Sequence, residues 1–396
     1  ERFYDVDSVS RFYKIIAVVS TILVLLMAVD FRKVLSKFTS GDDTGSSTGE
    51  FYCLPVFACA GLMWMASARD LVSIFVALEL VTITFYVMVA FMRRNVGSLE
   101  AGVKYLILGA LSTGFLVYGI AWIYGALKTT DISLFTQALT EGDFNNTYLL
   151  FGIAMILIAM GFKVGAVPMQ LWIPDVYQGA PTPITAFLAV ASKAAGFLVL
   201  MIIIDPFLAA DATGPSVALI LLIMSGATLV YGNLAAISQN NFKRLLAYSS
   251  IAHAGFLLMG VATGDFTSVS FYLATYLLMT FAAFYVLALV RSEEDSDEID
   301  AFDGLGKRNP ILAFSLTVAM AALAGVPLTA GFVGKFLIFY SAVAATNDNV
   351  SWWLITIAFV GVAAGFYYYL KVVKAMYWNA PRHENAITVP TITKVV

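Results

Sequence analysis

The chain has 396 residues, of which 60% are hydrophobic and 12% are charged, with a net charge of −3 and a mean hydropathy of +0.85. Soluble globular domains carry about 25% charged residues, so this composition excludes an ordinary soluble fold. The small net charge says nothing about nucleic acid, but no stretch of the sequence resembles a basic binding patch, so we expect no nucleic-acid partner.

Long apolar runs recur along the sequence, and each approaches the roughly 20 residues that a membrane-crossing helix needs. They predict an all-α, polytopic membrane protein with about eleven spans in a single transmembrane domain over residues 1–396. In chain order the predicted spans are residues 12–29, 51–68, 71–92, 100–126, 148–170, 183–204, 215–239, 243–263, 267–290, 310–346 and 351–378. The one long polar connection, residues 291–309, holds an acidic run that is most simply a solvated loop.

Basic residues in the connections predict the orientation. When successive connections are placed alternately on two sides, the side that holds Arg32, Arg93 and Arg244 receives most of the lysines and arginines. By the positive-inside rule that side is cytoplasmic. The first visible residues are then periplasmic, and the loop 291–309 is cytoplasmic.

A few charged residues remain inside the predicted spans: Glu79, Lys104, Lys163, Lys193, Lys335 and Lys371. Lys371 lies near a span end, from which its ammonium can reach the headgroups. A charge in the middle of a span costs about 2.5–3.5 kcal/mol on insertion scales, so the deeper groups need a function or a partner. The four deep lysines cannot all be neutralised by one glutamate, which disfavours static ion pairing as the only explanation. Burial disfavours an ammonium and a nearby carboxylate favours it, so such lysines can exchange protons. We therefore expect a proton path.

Two of the predicted spans look broken, and each carries one of the deep lysines. Span 148–170 contains Pro168 behind two glycines, and the unusually long span 310–346 contains Pro327. A proline inside a helix removes a backbone hydrogen bond, and a neighbouring glycine loosens the turn. Interrupted spans in corresponding halves of a chain indicate a transport site between inverted repeats. An ordinary proline kink is the alternative.

The remaining candidate groups are few. His253 lies in span 243–263, where its ordinary titration range suits a proton relay, with a hydrogen-bonded packing histidine as an equal alternative. Cys53 and Cys59 share one apolar run and the chain has 2 histidines, so we expect no metal, haem or iron–sulfur site. Since no glycine-rich loop follows a strand, we also expect no nucleotide or phosphate site.

Residues 161–183, GFKVGAVPMQLWIPDVYQGAPTP, with Ala191-Ser192-Lys193 after them, resemble the antiporter-like membrane subunits of NADH:quinone oxidoreductase, or respiratory complex I. Within that family the run DVYQGA at residues 175–180 is similar to the subunit N branch. Supporting similarities at residues 78–80, 98–105, 243–250 and 325–335 extend the resemblance over nearly the whole chain.

The resemblance implies an antiporter-like fold with two inverted repeats, at about residues 51–204 and 215–378, each containing one broken helix. It implies 14 helices, of which the eleven predicted spans would be the third to the thirteenth, so we expect two helices before residue 1 and one after residue 396. The absence of an initiator Met is consistent with this.

The resemblance also assigns roles to individual residues. It implies that Glu79 and Lys163 are a coupled acid–base pair and that Lys193 passes the proton onward. Lys335 is then the base nearest the exit. Two secondary positions, Lys104 and His253, correspond to a further membrane lysine and to the central hydrophilic axis.

The family carries no cofactor or metal in this subunit. NADH, FMN, iron–sulfur clusters and quinone are implied in partner subunits, together with sister antiporter-like and small membrane subunits, in the inner membrane of a bacterium. The implied function is the pumping step of a proton-translocating translocase that is coupled to quinone reduction elsewhere. Two alternatives stay open, an Mrp-like cation/proton antiporter subunit and a structural membrane subunit that does not pump.

Overall fold

The computed structural model describes residues 4–39, 48–142, 144–345, 350–381 and 387, and these ranges are nearly all helical, with no β-strand. The helices are α1 (Ser8–Asp30), α2 (Arg32–Thr39), α3 (Gly49–Ser67), α4 (Leu71–Val89), α5 (Val96–Leu127), α6 (Phe135–Glu141), α7 (Asn146–Val164), α8 (Trp172–Gly179), α9 (Thr182–Phe187), α10 (Lys193–Ala209), α11 (Gly214–Ile237), α12 (Phe242–Ala262), α13 (Phe266–Glu294), α14 (Leu305–Arg308), α15 (Pro310–Ala324), α16 (Ala330–Ala344) and α17 (Val350–Trp378).

Within these ranges, 10 helical stretches are long and apolar enough to cross a membrane. One of them, Thr182–Ala209, consists of α9, a π-helical segment (Leu188–Ser192) and α10. The shorter apolar helices α15 and α16 occupy the predicted span 310–346. The all-α, multi-pass prediction is confirmed, and the expected eleven spans correspond to ten continuous helices and one pair of half-length helices.

Both predicted breaks are present. Helix α7 ends at Val164, because Gly165 adopts the left-handed conformation with φ of +80°. Helix α15 ends in the same way at Gly325, where φ is +85°. This conformation is favourable for glycine and unfavourable for other residues, and the prolines that follow cannot donate a backbone hydrogen bond.

Burial identifies the centre of the bundle. The most apolar window of α12 is 94% buried, against 28% for α5, so α12 is an inner helix and α5 an outer one. Thr182–Ala209 and α13 are nearly as buried as α12. Close packing of α11 on α12 depends on Gly232, since a Cβ there would lie 2.6 Å from the backbone nitrogen of Ala252. The inner helices carry Lys193 and His253 into this core.

The prediction of a solvated acidic loop is wrong for part of the connection 291–309. Glu294 and Arg308 form a 2.6 Å ion pair with side chains only 6% and 5% exposed. Asp297 is 9% exposed and ion-pairs with Arg291. Lys243, which the sequence places in a connection, is fully buried, 3.6 Å from Asp297. The connection folds back onto the start of α12 and buries Glu294 and Asp297 in ion pairs, whereas Asp295 is 58% exposed.

Candidate proton-transfer site

Glu79 and Lys163 lie at the start of the candidate site. The side chain of Thr113 donates a 2.8 Å hydrogen bond to Glu79 Oε1, and Lys163 Nζ donates to Thr82 Oγ1. Glu79 and Thr82 are three residues apart on α4, so they share one face of that helix. Glu79 interacts electrostatically with Lys163, but the two do not form an ion pair within 4.0 Å. The implied acid–base pair is thus neighbouring rather than directly bonded, and Lys163 bonds to Thr82 on the helix that carries Glu79.

A small cavity lies beside Lys163. Its lining includes Thr82, Tyr105, Ser192 and Gly196, and its volume is about 10 Å³. One water needs roughly 10–15 Å³ and two or more polar partners, so the space is at the lower limit for a single water. Because Ser192 directly precedes Lys193, the cavity extends from Lys163 to the helix that carries the next lysine.

Lys193 is 2% exposed and bonds only to polar atoms of Ser250 among the described hydrogen bonds. Its ammonium donates to the Ser250 carbonyl oxygen at 2.6 Å and also to Ser250 Oγ. The hydroxyl of Tyr177 lies 3.2 Å from the same Oγ. Lys193 follows the π-helical segment of its helix, an irregularity frequent at functional sites.

His253 lies one turn after Ser250 on α12 and is 2% exposed. Its Nδ1 is 2.5 Å from the Tyr272 hydroxyl, and its Nε2 is 3.0 Å from the Tyr369 hydroxyl. Both Lys193 and Lys335 are close enough to act on it electrostatically. Both ring nitrogens therefore have hydrogen-bond partners, as a packing histidine needs. A proton relay would need the same partners, so this geometry fits either role.

Lys335 is 6% exposed and bonds to the end of the broken helix. Its ammonium donates to the carbonyl oxygens of Leu323 and Ala324, at 2.8 and 3.1 Å. These carbonyls belong to the last turn of α15, where the chain no longer supplies backbone partners. A cation there also interacts favourably with the helix dipole. Lys335 thus stabilises the end of α15 at the break.

Lys104 differs from the prediction of a deep lysine. Its side chain is 42% exposed and forms ion pairs with Glu100 at 2.6 Å and Asp175 at 2.7 Å. Arg244 completes the cluster with a 2.9 Å bond to Asp175. Burial opposes ionisation of Asp175, but hydrogen bonds from Lys104 and Arg244 outweigh it and lower the pKa of the carboxyl. Lys104 lies only a few turns from the start of the long helix α5, so it reaches a polar crevice at the helix end.

Sequence reasoning missed the hydroxyl groups that join the charged residues, namely Thr82, Thr113, Tyr177, Ser250, Tyr272 and Tyr369. Isolated serine, threonine and tyrosine residues are common in membrane spans, so no single one gave a signal. The pair Ser249-Ser250, one turn before His253, was the only local hint. Lys371 behaves as expected for a helix-end lysine, since it donates to Gln239 O and Asn240 Oδ1 in the connection before α12.

The sequence of this chain also matches a known protein family. The family described as NADH:quinone oxidoreductase/Mrp antiporter, transmembrane, matches residues 68–365. The chain belongs to this family. It is 41% identical over 386 residues to NADH-quinone oxidoreductase subunit N of Trichlorobacter lovleyi. The aligned region covers 96% of this chain and 76% of that relative.

Solved structures agree with the fold of this family member. A chain of respiratory complex I from Thermus thermophilus with bound Aureothin superposes with a TM-score of 0.81 and 33% identity, covering 99% of this chain and 82% of that one. A chain of the Mrp complex from Dietzia sp. gives a TM-score of 0.80 at 22% identity, over 95% of this chain and 68% of that one. The second likeness shows the fold alone. Together they confirm the antiporter-like fold and the multi-pass membrane character.

Proposed function

We propose that this chain is the subunit N-type, proton-translocating membrane subunit of a NADH:quinone oxidoreductase, and that it moves protons while partner subunits reduce quinone. The observation that supports this proposal best is the row of buried polar groups between the two broken helices. Lys163, Lys193, His253 and Lys335 follow one another through the core, and each has a hydroxyl or carbonyl partner. A purely structural subunit has no need for two buried lysines, Lys193 and Lys335, that form no ion pair with a carboxylate in the described part of the chain.

The proposed route starts at Glu79 and Lys163 and continues through Lys193 and His253 to Lys335. In each transfer an ammonium or imidazolium gives its proton to the next neutral base, through a hydroxyl or a water, and becomes neutral itself. Only one site needs to carry the extra charge at a time, which limits the cost of charge in the core. Glu79 favours the charged form of Lys163, and the other lysines lack such an acid.

The arrangement in the membrane belongs to the same proposal. We place the loop 291–309 in the cytoplasm and the first visible residues in the periplasm of a bacterial inner membrane, following the distribution of basic residues. The repeats at about 51–204 and 215–378 then have opposite orientations. Other membrane subunits of complex I are the proposed partners, and they or further subunits carry NADH, FMN, iron–sulfur clusters and quinone.

Alanine substitution of Lys163 or Glu79 tests the function. The assembled complex is reconstituted in liposomes, and proton uptake is measured beside NADH-driven quinone reduction. Lys371→Ala is the matched control, because Lys371 bonds to a connection rather than to the path. We expect each test variant to lose at least about tenfold in proton uptake, as expected for loss of a positioned acid or base, while the control pumps normally. Normal pumping by both test variants would overturn the proposal.

The likeness to the Mrp complex favours a second candidate, a cation/proton antiporter subunit. The same buried groups would serve it, so fold and site do not separate the two. Liposomes containing the complex are exposed to a sodium gradient without NADH. Proton movement that follows the sodium gradient and needs Lys163 supports the antiporter, whereas movement only during NADH oxidation supports the pump.

A further inference from the structure

One buried charge has no place in the proton path. Lys243, on the first turn of α12, has a fully buried side chain. Its ammonium donates a 3.1 Å hydrogen bond to the carbonyl oxygen of Ala180 and lies 3.6 Å from Asp297. A buried ammonium is expensive, so its retention at this position calls for a specific role.

Ala180 lies at the junction between two helices that matter for Lys193. It is the residue after α8, and α9 begins two residues later at Thr182 as the start of the helical stretch that carries Lys193. Helix α8 also carries Tyr177, whose hydroxyl shares Ser250 with Lys193. Thr185 ties the two helices together by donating to the Tyr177 carbonyl oxygen at 3.2 Å. The position of this junction therefore determines where Lys193 and the Tyr177 hydroxyl lie.

Asp297 fixes Lys243 from the opposite side. Its Oδ2 atom lies between Lys243 and Arg291, two cations whose side chains are 0% and 11% exposed. Its carbonyl oxygen accepts a 2.8 Å hydrogen bond from the backbone N–H of Phe242, which holds the acidic segment against α12. Removing this carboxylate charge would leave two buried cations beside each other. Neighbouring Arg244 is already paired with Asp175.

We propose that Lys243 is a positioning residue for proton transfer at Lys193. It holds the junction between α8 and α9 through the Ala180 carbonyl, and Asp297 in turn holds Lys243. No proton has to pass through Lys243. The proposal rests on the proposed function, since it assigns the buried ion pair to the geometry around one proton-transfer group.

The first test compares Lys243→Met with Lys243→Arg, which restores a cation that can still donate to Ala180. Lys307→Met is the matched control, because Lys307 is an exposed lysine near the same connection. In the whole complex in liposomes, we measure protons taken up per NADH oxidised and hydrogen–deuterium exchange of residues 172–185. We expect Lys243→Met to lower the ratio at least threefold and to speed the exchange. We expect Lys243→Arg to restore most of both values, and Lys307→Met to match the unmodified protein.

Asp297→Asn is a second variant that keeps the Lys243 side chain. It tests the positioning role if the complex with Lys243→Met does not assemble. We expect it to lower the proton ratio in the same direction and to speed exchange in the same segment. Faster exchange with an unchanged proton ratio means a structural role only and overturns the proposal. Lys193→Met distinguishes failure of the proposed function from failure of the positioning role alone. If it pumps normally, the proposed function fails; if it stops pumping while Lys243→Met and Asp297→Asn pump normally, only the positioning role fails.

Discussion

The hydroxyl of Ser250 is shared by two groups of the proposed path, and its removal gives a sharp test. Lys193 donates to it, and the Tyr177 hydroxyl lies 3.2 Å away. Ser250→Ala removes the hydroxyl and leaves the carbonyl oxygen that accepts the other Lys193 bond, at 2.6 Å. The site is fully buried, since Ser250 is 0% and Lys193 2% exposed. The change therefore removes the hydroxyl's hydrogen bonds with Lys193 and Tyr177 together and leaves the backbone bond of Lys193 in place.

The size of the effect follows from the charge on Lys193. A hydrogen bond from a charged group contributes about 1.5–3 kcal/mol. Only the ammonium form of Lys193 needs both acceptors. Loss of the Ser250 hydroxyl therefore disfavours protonated Lys193 by the free energy of this one hydrogen bond. Since about 1.4 kcal/mol is a factor of ten in an equilibrium constant, the ratio of protonated to neutral Lys193 falls roughly tenfold at the lower end of this range. We expect proton uptake to fall by a similar factor if transfer through Lys193 limits the rate.

Proton uptake and quinone reduction by the complex in liposomes measure this effect. Ser225→Ala is the matched control, because it also deletes a buried serine hydroxyl bonded to a carbonyl oxygen, at 2.7 Å from Gly255 O, but away from Lys193. The expected result is a tenfold loss of uptake for Ser250→Ala and little loss for Ser225→Ala. Equal uptake by both variants would refute the role of Ser250 and the path drawn through it.

Three further predictions concern other parts of the molecule. Lys104→Met should lower proton uptake less than about twofold, because Lys104 is half-exposed and belongs to a surface ion-pair cluster; a tenfold loss would restore it to the path. Asp175→Asn should lower the thermal midpoint of the complex by a constant amount from about pH 6 to 8. The pKa of Asp175 is lowered in the fold, so its stabilisation is present above the ordinary carboxyl value of about 3.9 and lost only as the pH falls through the lowered value; a difference that changes between pH 6 and 8 would contradict this. Gly232→Ala should destabilise by about 1–3 kcal/mol through overpacking, whereas Gly114→Ala, with nothing within 4 Å of the added carbon, should be nearly neutral in the same thermal assay.

The sequence by itself determined the class of protein and the positions of both helix breaks. Apolar runs of membrane length can only be satisfied by helices in lipid, since every backbone group must find its partner within the segment. Gly165 and Gly325 stop helices through their own backbone preferences, which act locally and can be read without knowing the neighbours. The rarity of charge in the spans likewise singled out Lys163, Lys193 and Lys335.

Only the tertiary structure decided which charges are buried and what they contact. The sequence predicts that Lys104 lies deep in a span and Lys243 in a connection, yet the Lys104 side chain is 42% exposed and that of Lys243 has no exposed surface. Lys243 is covered by the connection 291–309, whose Asp297 lies 3.6 Å from its ammonium, whereas Lys104 opens onto a polar crevice. Long-range packing of this kind brings together residues far apart in the chain, such as Lys193 with Ser250 or His253 with Tyr369. Local pattern predicts which residues are costly to bury, while their partners depend on how the helices pack against each other.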